Sequence, residues 1–220
     1  MPIIETPRPI INAGEEHIAC AVVVDTSGSM ADYADELTEA IAELSASITD
    51  DDTSRGRVEL CLITFDNDAR VVQPFGPMYS FEAPRQLKCY GMTSTHEAIR
   101  LAIDKVNERK AEYQANGVPY RQPWLWLFTD GESNDPDNGS FDELLQMQRA
   151  GRLSFYGVGI GPEAEASELK GMHKSNIMLR VSRENFKAAF EFLSASISQA
   201  SKSKPGEKLV IDVPPQIIIE

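Results

Sequence analysis

The sequence predicts a doubly wound α/β fold with a mostly parallel six-stranded sheet, one antiparallel edge strand, and helices on both faces. Between His17 and Ala200 short apolar runs alternate with longer amphipathic ones, the rhythm of a sheet sandwiched between helices. The short runs are nearly continuous in apolar residues, which suits strands covered on both faces. One pair of runs is joined by only Asp66-Asn67-Asp68, a link that permits only an antiparallel hairpin.

Taken in order, Ile18 to Val24 is the first strand. In Met30 to Ile48, the residues Met30, Tyr33, Leu37, Ile41, Leu44 and Ile48 recur at steps of three and four and define the clearest helix. Val58 to Phe65 and Ala69 to Gln73 form the hairpin. Ser94 and Glu97 have capping-box spacing ahead of Ala98, Ala102, Ile103 and Val106, and Ser140 and Glu143 repeat it ahead of Leu144 and Met147. Trp124 to Phe128, Leu153 to Ile160 and the weaker Ile177 to Val181 complete the strands. A short helix is expected over Glu163 to Gly171 and a closing one through Phe186, Ala189, Phe190, Leu193 and Ile197. Trp124 and Trp126 alternate with leucines and belong in the core.

At 220 residues, one α/β domain can absorb nearly all of the chain. The expected organisation is an extended arm over residues 1–16, a domain over 17–200, and a Pro/Ile-rich tail over 201–220. The arms, with Pro7-Arg8-Pro9-Ile10-Ile11 and Pro214-Pro215-Gln216-Ile217-Ile218-Ile219, read as extended segments lying on the domain or in contacts between copies. The sharper alternative is an edge strand offered to a partner.

A composition of 42% hydrophobic and 25% charged residues supports a packed core. The net charge of −13 argues against nucleic acid and anionic membranes and favours divalent cations and basic protein surfaces. No apolar run approaches the roughly 20 residues of a membrane span, and Met1 to Glu16 lacks the order of a signal peptide, so a cytoplasmic setting is expected. Three cysteines without C-x-x-C spacing argue against a disulfide framework or a zinc site. Cys20 and Cys61 read as core filler, and Cys89 as a thiol accessible enough to oxidise.

Ligands of open parallel sheets bind at the carboxyl ends of the strands, near the point where strand order reverses. There the first strand delivers Asp25-Thr26-Ser27-Gly28-Ser29, and the run Trp124 to Phe128 leads into Thr129-Asp130-Gly131-Glu132. Between them lies the hydroxyl-rich loop Gly91-Met92-Thr93-Ser94-Thr95. Asp25, Ser27, Ser29, Thr93 and Asp130 thus bring two carboxylates and three hydroxyls to one end of the sheet. That oxygen set suits Mg2+ or Mn2+, whereas a site built for Ca2+ alone would usually carry more acidic groups. An ion with so few anionic ligands keeps residual positive charge and attracts a carboxylate from outside.

The Asp25-x-Ser27-x-Ser29, Thr93 and Thr129-Asp130-Gly131 set resembles the metal-ion-dependent adhesion site of the von Willebrand factor A (vWA) domain family. The β-α order from about His17 to Ala200 is similar throughout. The resemblance implies direct metal binding by Ser27, Ser29 and Thr93, with Asp25 and Asp130 acting directly or through water. It implies Mg2+, with Mn2+ or Ca2+ as alternatives, and a protein partner whose Asp or Glu takes the sixth position. The chain looks most like bacterial cytoplasmic vWA proteins of tellurium-resistance and stress clusters, which implies kinase or phosphatase partners. The expected function is a metal-dependent protein-protein interaction module, not an enzyme. The alternatives are a phosphatase-like hydrolase using the same ion and a structural subunit of an ATPase-driven assembly.

Other residues receive plainer readings. Ser94 and Thr95 are expected to cap and support, Glu132, Asp135 and Asp137 to form a solvated acidic loop, and Asp66 and Asp68 to serve the hairpin turn. Among His17, His96 and His173, only His96 falls near the proposed metal loop, and it is expected to be exposed without a role. Ser27 stands where a haloacid dehalogenase-type phosphatase would place its second Asp. The chain has no nucleophile-elbow serine and no P-loop. Gly157-Val158-Gly159-Ile160-Gly161 lacks the dinucleotide fingerprint and reads as a strand end.

Overall fold

A computed structural model describes residues 10, 12–131, 133–161, 177–204 and 213–219. The expected helix at Glu163 to Gly171, most of the N-terminal arm, Glu132 and His173 lie outside the described residues.

The strands are β1 (Ile18–Asp25), β2 (Val58–Phe65), β3 (Ala69–Gln73), β4 (Trp124–Thr129), β5 (Ser154–Ile160), β6 (Ile177–Val181) and β7 (Ile217–Ile219). They form one seven-stranded sheet in the order β3-β2-β1-β4-β5-β6-β7. β1, β2, β4, β5 and β6 run parallel, and the hairpin partner β3 is antiparallel as expected. The expected six strands gain a seventh from the tail: β7 pairs antiparallel with β6, matching Val181 with Ile217 and Arg180 with Ile218. Both edges of the sheet are therefore antiparallel.

The helices are α1 (Ala34–Asp50), α2 (Asp52–Arg57), α3 (Thr95–Ala115), α4 (Ser140–Arg149) and α5 (Lys187–Lys202). A 3-10 turn over Gly28–Tyr33 precedes α1. Helix α2 has no apolar period to announce it, since Ser54 is its only buried residue. Its signal is a cap: the Asp51 carboxylate accepts from the N–H groups of Thr53 (3.1 Å) and Ser54 (2.8 Å).

Side-chain alternation along β1 divides the core into two layers. Ile18, Cys20, Val22 and Val24 face α1 and α5, while Ala19, Ala21 and Val23 face α3 and α4. Trp124, Trp126 and Phe128 of β4 join the first layer, with Trp126 stacked on Tyr156 (centroids 4.5 Å apart) and Phe128 on Phe190 (4.2 Å). Each large apolar side chain so buried stabilises the fold by about 1.5–3 kcal/mol. Cys20, Cys61 and Cys89 form no disulfide, and the first two are fully buried.

The chain leaves β1, returns as β2 on one side, and later returns as β4 on the other. The sheet order therefore reverses between β1 and β4, and their carboxyl ends flank the crevice that such a reversal opens.

Candidate metal centre

Asp25 is the last residue of β1, paired with Phe65 of β2, and it is fully buried. Both of its carboxylate oxygens are engaged. Oδ1 accepts from the Ser27 N–H (2.8 Å), closing an Asx-type turn, and Oδ2 accepts from the Thr129 hydroxyl at the end of β4 (2.6 Å). Burial pushes the Asp25 carboxyl up to about 6, against the lowering effect of the Thr129 and Ser27 bonds, and the charge of Asp130 adds to the rise.

From Asp25 the network continues outward. The hydroxyls of Ser27 and Ser29 lie 3.0 Å apart, and the Ser29 hydroxyl donates to Asp130 Oδ1 (2.7 Å). Asp130 follows β4 directly and is itself buried, whereas Ser29 is exposed and opens the centre to solvent.

Thr93 joins this group through its backbone. Its loop lies against the Asp25 segment, where Tyr90 N–H donates to the Thr26 carbonyl (2.9 Å) and Gly28 N–H to the Gly91 carbonyl (3.1 Å). Asn134 then grips Thr93 from both sides, its Oδ1 accepting from the Thr93 N–H (3.1 Å) and its own N–H donating to the Thr93 carbonyl (2.8 Å). Asn67 supports the loop from the β2-β3 hairpin: its Oδ1 accepts from Met92 N–H (3.1 Å) and its carbonyl from the Ser94 hydroxyl (2.9 Å). Gly91 has φ +78°, and a Cβ there would fall 2.6–2.8 Å from the Asn67 carboxamide, so only glycine fits.

The structure thus brings Asp25, Ser27, Ser29 and Asp130 into one hydrogen-bonded chain with Thr93 braced beside it. Among the described residues no group of three His, Cys, Asp or Glu side chains could hold a metal ion, so any ion here would depend on hydroxyl oxygens beside two carboxylates. That donor set fits a hard divalent cation, which would also offset the buried charge of Asp25.

Several supporting roles went unseen in the sequence. Thr129, quoted in the motif without a role, donates to Asp25 Oδ2, and Arg183, which the sequence does not single out, places Nη2 3.3 Å from Asp130 Oδ2. Asp135, expected in a solvated loop, instead caps α3, accepting from His96 N–H (3.2 Å) and Glu97 N–H (2.8 Å). Burial acts to raise its pKa, but hydrogen bonds from Ser133, Glu97 and His96 hold it below the usual carboxylate range. Neither capping-box serine caps its helix: the Ser94 hydroxyl serves Asn67, and the Ser140 hydroxyl donates to the His96 carbonyl (2.9 Å). Spacing alone cannot foresee a cap supplied from another loop.

His96 is a further correction, being buried instead of exposed. Its Nδ1 lies 2.9 Å from the Ser133 hydroxyl and 3.1 Å from Asp135 Oδ1, and its ring meets Phe141 edge-on. Ser133 and Asp135 share one ring nitrogen, and Asp137 Oδ1 stands 4.0 Å from the other. Cys89 is half-buried, and burial first, then the charges of Asp25 and Asp130, push its thiol up to about 11, opposite to the shift that favours a reactive thiolate. Asp66 does serve the turn, its Oδ1 accepting from Asn67 N–H (2.7 Å), but its carbonyl also holds Ser94 N–H (3.0 Å).

The model of the von Willebrand factor type A domain matches residues 20–199. The chain belongs to the vWA domain family. Solved structures agree on the fold. The ArnB paralog VWA2 from Sulfolobus acidocaldarius is 16% identical with a TM-score of 0.55, over 83% of this chain and 45% of that one. Proximal thread matrix protein 1 from the mussel byssus, described with a zinc-occupied MIDAS motif, is 14% identical with a TM-score of 0.57, over 84% and 46%. The vWF domain of the type V pili tip protein Mfa5 from Porphyromonas gingivalis is 10% identical with a TM-score of 0.60, over 88% and 98%. The chain spans less than half the length of the first two. No curated protein matches the chain. The vWA fold often mediates metal-dependent protein-protein interaction. Among the described residues, no helix of this vWA chain is long and apolar enough to cross a membrane.

Proposed function

We propose that this vWA domain binds a protein partner through a divalent cation and is not itself a catalyst. The observation that carries the reading is the continuous chain Asp25-Ser27-Ser29-Asp130 at the reversal point of the sheet, buried at its carboxylates and open at Ser29. Ser27, Ser29 and Thr93 would hold the ion, with Asp25 and Asp130 held in place by Thr129 and Arg183 to act directly or through water. The bound ion supplies a Lewis-acidic position for an Asp or Glu of the partner. Mg2+ is the ion best suited to so few carboxylates, and Mn2+ is the next.

The finer setting is a cytoplasmic one, in a bacterial tellurium-resistance or stress pathway with kinase or phosphatase partners. Three cysteines outside any disulfide are in keeping with a reducing compartment.

Calorimetric titration of the full chain with Mg2+ and Mn2+ tests the centre. Wild type is expected to bind with a chelator-reversible signal, and the double variant Ser27→Ala/Ser29→Ala to lose at least about 1.4 kcal/mol, a tenfold change in affinity. Equal binding by both would remove these serines from the site. Robust phosphatase turnover in Mg2+, abolished by Asp25→Ala, would overturn the non-catalytic reading.

A further inference from the structure

The two buried carboxylates of the centre are stabilised by different means. Asp25 is met by uncharged donors, Thr129 and the Ser27 N–H, whereas Asp130 receives the Ser29 hydroxyl on one oxygen and the Arg183 guanidinium on the other. Arg183 opens the 3-10 turn Arg183–Asn185 between β6 and α5, so it reaches Asp130 from an element that carries none of the expected ligands.

The approach is built into the backbone. Gly161, at the end of β5, has φ +78°, and a Cβ there would lie 2.9 Å from both Cγ and Nε of Arg183. The arginine stem therefore crosses the strand end where the chain has no side chain to block it. With 28% of its side chain exposed, Arg183 also borders an open cleft of about 500 Å3 with Arg180, Ser182 and Asn185.

We propose that Arg183 sets the charge of the metal centre, weakening its hold on the cation while keeping the bound cation receptive to an outside carboxylate. This rests on the metal-dependent reading above. Asp25 and Asp130 together offer two negative charges, enough by themselves to neutralise a divalent ion. With Arg183 in contact the balance with the ion is one positive charge, and a single carboxylate from a partner restores neutrality. The arginine thus shifts the preference of the site from cation alone to cation plus acidic partner. Since a guanidinium is charged at every physiological pH, the bias is permanent.

The test compares wild type, Arg183→Gln and Arg183→Lys as full chains, titrated calorimetrically with Mn2+ alone and melted with and without Mn2+. Arg183→Gln is expected to bind Mn2+ at least about fivefold more tightly than wild type, and Arg183→Lys to stay within about twofold, since Coulomb interactions of partly exposed charges are of this order. Without metal, Arg183→Gln melts lower than wild type because buried Asp130 loses its cationic partner beside a second buried carboxylate, and Mn2+ raises its melting temperature by more. An anchor for the α5 turn that has no electrostatic role would leave the Mn2+ affinity of Arg183→Gln unchanged or weaker, and that result overturns the inference while leaving the metal site intact. Equal tightening in Arg183→Lys and Arg183→Gln overturns it as well. Binding by Arg183→Gln where wild type is silent supports it, and silence in all three overturns the metal reading and this inference together.

Discussion

The two ends of the sheet bury carboxylates in opposite ways. At the amino end, Glu59 in β2 is buried against Arg109 of α3, which donates to it twice (Nε to Oε2, 2.5 Å; Nη2 to Oε1, 2.7 Å), while the Tyr113 hydroxyl donates to Oε2 (2.7 Å). His17, just before β1, stands 3.7 Å from the same carboxylate and leans on the Tyr113 ring. Arg109 also reaches Glu112. At the carboxyl end, Asp25 and Asp130 are held mainly by hydroxyls, with one partly exposed arginine on Asp130. A bidentate buried guanidinium leaves Glu59 little to offer an incoming cation. Hydroxyls leave carboxylates satisfied but uncompensated in charge, which is the condition in which a cation gains most.

The largest effect expected from this contrast lies at the amino end. Glu59→Gln leaves the buried Arg109 charge with Glu112 but without its bidentate carboxylate, which costs up to about 3–5 kcal/mol. Denaturant melts would register it as a lower midpoint with unchanged slope, and Mn2+ affinity of the folded fraction should not move. A matching loss of metal binding would show that the two ends are not independent.

The reverse substitution at the other end should separate stability from binding. Asp25→Asn keeps the shape and the bond from Ser27 N–H but removes a buried charge, so the metal-free protein should be unchanged or more stable by up to about 2 kcal/mol. The stabilising response to Mn2+, read as a shift in melting temperature, should vanish. A large loss of stability without metal would mean that Asp25 is structural in the manner of Glu59.

How much of this the sequence displays depends on the kind of interaction. Asp25, Ser27, Ser29 and Asp130 are legible because they sit within a few residues of strand ends whose apolar runs are unmistakable, and a strand end fixes where its next residues go. Arg183 and Asn134 are not, since each meets its target across a long stretch of chain and neither stands in a patterned segment. Glu59 lies inside a run that reads as apolar, and its pairing with Arg109 depends on the distance between β2 and the last turns of α3. The tail strand β7 resembles the Ile-rich N-terminal arm in composition, and only the open edge of β6 decides that Ile217–Ile219 pairs there.

Asn134→Ala tests a middle rank of effect at the carboxyl end. It removes the side-chain half of the grip on Thr93, at a cost of about 0.5–1.5 kcal/mol for one hydrogen bond, while the backbone half survives. Mn2+ affinity should weaken several-fold if the placement of Thr93 matters to the ion. Unchanged affinity would remove Thr93 from the set of ligands.

The smallest effect is a pH dependence confined to the amino end. Asp51 joins α1 to α2, and the side-chain bond from Lys202 of α5 is the main cause of its low pKa of about 2. Burial acts the other way, and bonds from Ser54 add to the lowering. A carboxyl whose folded pKa lies below its unfolded value of about 4 stabilises the fold above that unfolded value, and loses the contribution as pH falls through the folded value. The stabilisation from Asp51 is therefore complete at neutral pH and fades between about pH 4 and pH 2. Lys202 is half exposed, so solvent screening keeps the contribution to at most about 1 kcal/mol. Melting temperature followed from pH 5 to pH 2 should fall less steeply in Asp51→Asn than in wild type, and parallel curves would show that the ion pair with Lys202 contributes nothing to holding α5 against the α1-α2 corner.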